Sequence, residues 1–195
     1  MGHLDFTGMG SNMAKMLSNT TERTNFLRYA VKEWAFENAA SLLCIADFRG
    51  MPTKNKLMAF YDIFVDGFAS KSGGGAPLAL NLGSGSGATE ARKITVLVDY
   101  LRNGSISLQS QSVPANTLSG LVASINTNLS DTFSRYDIAR RSSETRFKGT
   151  IFSHKVIVTR SVAQNSRLDP TTAGAVRVLK SAGFDTHGMG FDALA

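Results

Sequence analysis

Side-chain catalysis needs a nucleophile with a base beside it, and this chain of 195 residues offers little of either. Its histidines are His3, His154 and His187, two of them near the termini, and none has a recognisable nucleophile partner. Cys44 is the only cysteine, so an intramolecular disulfide or a cysteine-based zinc site is excluded, and its apolar surroundings predict an inert buried thiol. No cofactor or metal is expected. What remain are polar residues suited to recognition rather than bond-making. Glu37 and Asn38 stand ahead of the apolar run Ala39 to Phe48, Asn81 interrupts the leucines of Pro77-Leu78-Ala79-Leu80-Asn81-Leu82, and Asp131 and Arg135 lie four apart. Each has a local explanation. Asn38 and Glu37 suit a helix start, by capping and by the positive dipole end. Asn81 could satisfy loop backbone groups, and Asp131 could cap a helix while pairing with Arg135. The alternative is that rigid elements hold these side chains out to grip another protein.

The elements that would position them follow from hydrophobic spacing. With 43% hydrophobic residues the chain can build a real core, and its length suits one domain. A short helix through Met13, Met16 and Leu17 stops at Ser18-Asn19, where Asn19 and Glu22 predict a reciprocal cap for a helix carrying Phe26, Tyr29 and Ala30 inward. Leu42, Leu43, Ala46 and Phe48 predict a buried helix, and Ala39 and Ala40 allow close approach of another. Pro52 is placed to open the next helix, in which Leu57, Phe60, Tyr61, Phe64, Val65 and Phe68 give the clearest amphipathic signal. Residues 69 to 87 read as a Gly-rich loop around the apolar island with Asn81, a segment pinned so that one polar side chain projects. Ile94, Leu97, Val98 and Leu101 predict a helix, as do Leu118, Leu121, Val122, Ile125 and Leu129, after which the chain is expected to turn into Asp131 to Tyr136. Asp169-Pro170 starts a last helix, about 170 to 182, with Val176 and Leu179 inward and Gly183 as its stop.

The net charge of +6 leaves open nucleic acid, anionic lipid or an acidic protein. Arg135 to Arg160 holds seven basic residues against two acidic, which reads as a solvated face or a contact with an anionic membrane. Nucleic acid is disfavoured because the aromatics sit at inward helical spacing without a basic-aromatic ladder. No apolar run spans a bilayer and no secretory signal is evident, so a cytoplasmic location is expected, with recruitment to the inner face of the plasma membrane as the role of the basic segment. Residues 1 to 10 read as disordered.

Taken together, four separated patches resemble a regulator of G-protein signalling (RGS) domain. They are Met16-Leu17-Ser18 leading through Phe26 and Tyr29 to Glu33; Glu37-Asn38 with the apolar helix ending Asp47-Phe48-Arg49; Phe60-Tyr61-Asp62-Ile63-Phe64 ahead of Ala76-Pro77 and Asn81-Leu82; and Asp131-Thr132-Phe133-Ser134-Arg135-Tyr136. Their order and approximate spacing are the family's, over about residues 11 to 155, and 156 to 195 form an extension outside it. The resemblance implies an all-α array of about nine helices in two lobes, one of terminal helices and one an antiparallel four-helix bundle. It also implies acceleration of GTP hydrolysis by heterotrimeric G-protein alpha subunits in their GTP or transition-state form, by a monomer that is not itself an enzyme. Such domains clamp the switch segments and supply no catalytic residue. By resemblance Asn81 touches the switch region, Glu37 and Asn38 hold another edge, Asp131 with Arg135 braces the remaining wall, and Thr132 is a small hydroxyl contact.

The chain departs from the pattern in Ser41-Leu42, where an aromatic pair is usual, in the longer Gly-rich loop around Asn81, and in polar Thr127. Ser142 to Phe147 is a rival register for the last patch. These departures keep open an RGS-like scaffold or membrane adaptor without GTPase acceleration. A remoter alternative is that Leu80 to Gly87 followed by Ile94 to Asp99 resembles the nucleotide loop of S-adenosylmethionine-dependent methyltransferases. That needs a strand on each side of the loop and a crossover helix between them, for which Gly87 to Ile94 leaves no room.

Overall fold

Apolar residues recurring at three and four positions wind this chain into helices, and the computed structural model describes residues 4–6, 9–48, 52–66, 76–80, 82, 86–104, 115–147 and 168–194. In order these are α1 (Ser11–Ser18), α2 (Thr20–Lys32), α3 (Phe36–Phe48), α4 (Lys54–Phe60) continued by a π turn (Tyr61–Val65), α5 (Ser86–Arg102), α6 (Ala115–Phe147), α7 (Pro170–Ser181), α8 (Thr186–Met189) and a 3-10 turn (Phe191–Leu194). Among the described residues there are eight α-helices and no strand, so the chain is all-α as its spacing predicts. Ile94 to Asp99 lie inside α5, which removes the second strand that a methyltransferase loop would require.

The helix ends show which local signals decided. The Asn19 side chain caps α2 by accepting from the Glu22 amide at 3.0 Å, but the reciprocal arm is missing: the Asn19 N–H goes to the Met16 carbonyl, and Glu22 accepts from the Tyr136 hydroxyl at 3.1 Å. Thr53, not Pro52, sets the start of α4, because its hydroxyl accepts from the Lys56 amide. Asp169 and Pro170 open α7 as the sequence predicts, and Gly183 stops it at φ +95°. There the Phe184 amide reaches back to the Leu179 carbonyl and the Gly183 amide to Lys180, the hydrogen-bond pattern that a left-handed residue permits.

The sequence predicts a break near Asp131, and the structure corrects it. α6 runs unbroken through that point to Phe147. No proline or glycine follows Gly120 within it, and buried Tyr136 together with partly buried Phe133 extends the inward spacing of Leu129. The rival segments Asp131 to Tyr136 and Ser142 to Phe147 therefore lie on one helix. Gly120 lets α5 approach, since a Cβ there would stand 2.7 Å from the Glu90 side chain.

α3 lies at the centre, buried almost all round and packed against α2, α4 and α6. At the far end of α4, the π turn leaves the Ile63 and Phe64 carbonyls to accept from the Leu78 and Leu80 amides at 3.0 and 2.9 Å. With Leu78, Leu80 and Leu82 all buried, this accounts for the apolar island: it is stitched to the helix by alternate amides and sealed by alternate leucines.

The described residues of the C-terminal extension join the same core. Leu179, Met189 and Phe191 are fully buried, Phe191 meets Phe36 at 5.7 Å between ring centroids, and Phe184 meets Phe48 at 5.6 Å. The buried Arg23 guanidinium donates to the Leu17 carbonyl at 2.5 Å and to that of Gly188, tying α2 to α8. At the other terminus Leu4, within the stretch read as disordered, is buried, and the Asp5 amide donates to the Ala46 carbonyl at 2.9 Å. Val176 is only partly buried, and Ala175 takes the inward position beside Leu179.

Candidate functional site

The turn between α2 and α3 is where separated parts of the chain meet. α2 ends with the same hydrogen-bond pattern as α7, the Ala35 amide donating to the Ala30 carbonyl at 2.9 Å and the Trp34 amide to Val31 at 3.4 Å. The residue in the left-handed position is Trp34, at φ +55°, where α7 uses glycine. Its side chain is 92% exposed. A bulky residue in this conformation costs of order 1–2 kcal/mol, and leaving an indole in water forgoes its burial as well.

On one side of Trp34, Glu33 accepts from Arg135, with Arg135 Nη2 at 2.8 Å and Nε at 3.1 Å from Glu33 Oε2. Arg135 also donates to Asp131 one turn earlier on α6. Asp131 and Arg135 are therefore an exposed, braced pair at mid-helix, and Asp131 is not a cap. On the other side, Trp34, Phe36 and Glu37 line a cleft of about 600 Å³ closed by Pro77 to Ala79 and by Leu168 to Thr172 at the start of α7.

Glu37 and Asn38 fall in the first turn of α3. Asn38 is 6% exposed, and its amide donates to Glu37 Oε1 at 2.8 Å, so it fixes the carboxylate from within. Burial raises the Glu37 pKa, while its own backbone N–H and the Asn38 amide act in the opposite direction. Thr132 is likewise buried, on the core face of α6. Of the six residues singled out by sequence, the structure thus leaves Glu37, Asp131 and Arg135 at least partly accessible, with Arg135 joined to the α2–α3 turn through Glu33, and buries Asn38 and Thr132. Asn81 lies outside the described residues, between the buried Leu80 and Leu82.

Glu33 and Trp34 are the members that sequence reasoning missed. Spacing gives no signal for Trp34: it falls four residues after Ala30 and seven after Leu27, on the inward period of α2, and so reads as a core residue.

A second cleft, of about 400 Å³, lies between α1 and the later part of α6. Its walls carry Lys15, Glu22, Tyr136, Asp137, Arg140 and Arg141. Burial and then Glu22 push the Tyr136 hydroxyl pKa up. Arg140 and Arg141 share the Asp137 carboxylate at 3.0 and 2.7 Å, and Arg140 also lies 4.0 Å from Glu22, so the described start of the basic segment stays net positive. Among the described residues no group of three metal-ligating side chains occurs, and no helix is long and apolar enough to cross a membrane. Neither a protein-family model, nor a curated protein, nor a solved structure matches the chain.

Proposed function

We propose that the chain is an RGS-type protein that accelerates GTP hydrolysis by heterotrimeric G-protein alpha subunits, gripping the switch segments in their transition-state arrangement without contributing a catalytic group. On this reading the helices form the family's two-lobed array of about nine. What carries it is the convergence on the α2–α3 turn: Arg135 reaches Glu33 from across the chain, and Glu37 and Trp34 share a cleft with Pro77 to Ala79, two residues short of Asn81. Patches far apart in sequence thereby flank one exposed aromatic, the composition of a binding hot spot. A clamp needs rigid walls, and the ion pairs of Arg135 and the amides holding Leu78 and Leu80 supply them.

The direct test is single-turnover GTP hydrolysis by alpha subunits of the source organism with and without this protein. Acceleration is expected. Its absence with every subunit, together with no binding to the form carrying GDP and aluminium fluoride, sinks the proposal. A second reading, an RGS-like adaptor without acceleration, is favoured by one observation: Asn38 and Thr132 are buried and offer a partner little surface. Binding to the activated alpha subunit without a faster turnover is its signature. Recruitment to anionic membrane from the cytoplasm belongs to either reading, and vesicle co-sedimentation tests it.

A further inference from the structure

Among the described residues no cation pairs with the Glu37 carboxylate of the α2–α3 cleft. Glu37 is held in place by Asn38 in a cleft whose apolar lining includes Trp34, Phe36, Pro77 and Leu78. The other acid of the cleft, Asp169, is already engaged: it accepts from the Thr171 and Thr172 amides at 2.9 and 3.1 Å and from the Thr172 hydroxyl. Lys32 also lines the cleft and is engaged in an interaction of its own, and among the described residues the groups acting on the Glu37 carboxyl include no cation. A half-buried carboxylate that is fixed, desolvated and unneutralised is a site for positive charge.

We propose that this cleft receives an arginine side chain from a partner protein, its guanidinium pairing with Glu37 and lying against the Trp34 indole. Arginine fits better than lysine because its planar, weakly hydrated head enters an apolar frame at lower cost and stacks on an aromatic face. A protein fits better than a free metabolite because Trp34, at the edge of the cleft it lines, is 92% exposed, and only a broad surface covers an indole presented that way. The inference rests on the preceding reading for the identity of the partner, an alpha subunit, but not for the chemistry of the cleft.

Trp34 is the only tryptophan, so its fluorescence reports this cleft alone. N-acetyl-arginine amide titrated into the full chain is expected to change the emission saturably, and the neutral isostere N-acetyl-citrulline amide to leave it unchanged. Glu37→Gln, checked for an unaltered circular dichroism spectrum, weakens the arginine response about fivefold. No saturable response, an equal response to citrulline, or an equal response in Glu37→Gln overturns the proposal. The two layers separate cleanly. Accelerated GTP hydrolysis without the arginine response overturns the cleft and spares the function. The arginine response without any alpha subunit bound overturns the function and spares the cleft.

Discussion

The Lys56 ammonium stands 2.5 Å from Asp47 Oδ2, and the Asp47 side chain is only 2% exposed. The pair joins α3 to α4, and the same carboxylate oxygen accepts from the Asp185 amide at 3.4 Å, while Lys56 lies 5.2 Å from the centroid of Phe184. One ion pair thus fastens the C-terminal residues to the centre of the molecule. Lys56→Met leaves a buried carboxylate unneutralised and is expected to cost about 3 kcal/mol, read as a lower melting temperature by circular dichroism. The double variant Asp47→Leu/Lys56→Met should recover much of that loss, because the desolvation of both charges disappears with them.

Phe191→Ala tests the same attachment from the apolar side. Phe191 is fully buried against Phe36, and its truncation should destabilise the chain by about 3–5 kcal/mol. A loss that small surface changes produce, below about 0.5 kcal/mol, would show that residues 168–194 do not belong to the core.

Trp34→Gly separates folding from recognition. Glycine accepts the left-handed conformation that Trp34 adopts at φ +55°, so stability should hold or rise by up to about 1 kcal/mol in denaturant unfolding. Affinity for the activated alpha subunit should fall by about tenfold or more, as measured by calorimetry. Unchanged affinity would remove Trp34 from the interface.

Arg135→Ala is expected to leave the melting temperature nearly unchanged, because both its ion pairs are exposed. Acceleration of GTP hydrolysis should drop about tenfold, as the brace between α6 and the α2–α3 turn is lost. Asn81→Ala should behave likewise. If either variant simply unfolds the chain, its residue has a structural role and not a recognition role.

Glu37 predicts an inverted pH dependence. Its carboxyl pKa is raised by burial in the folded chain, so the folded state favours the protonated form. That preference favours folding at acid pH and fades as pH rises from the ordinary glutamate range through the raised folded value. Glu37→Gln should therefore melt higher than the parent at neutral pH, the difference shrinking to nothing below about pH 4. A constant difference across that range would mean that the carboxylate is not desolvated.

How much of this was legible in the sequence depended on whether a signal was local. Asp169, Pro170 and Gly183 act within a turn of themselves, and α7 begins where they indicate. The spacing of Leu118 to Leu129 identifies a helix but not its length, because Asp131 suits a helix cap as well as a mid-helix position and no glycine or proline decides between them. Asn38 looked like an exposed helix entrance. It is covered because α3 runs through the centre, a fact of packing that no window around Asn38 contains. The Arg135–Glu33 and Lys56–Asp47 pairs were invisible for the same reason, each depending on how two helices dock. Neither the exposure of Trp34, which falls on the inward spacing set by Leu27 and Ala30, nor its left-handed backbone was legible, since a glycine normally announces that conformation.

The π turn at Tyr61–Val65 amounts to a helix carrying one residue too many. Looked at as an insertion, it is absorbed locally: removing Asp62 would rewind the segment to ordinary α-helical pitch while the turns before it keep their faces. The Ile63 and Phe64 carbonyls would then be offered to the helix's own amides and no longer to those of Leu78 and Leu80. A single residue in the helix thus decides whether the Leu78 and Leu80 amides find their partners on it.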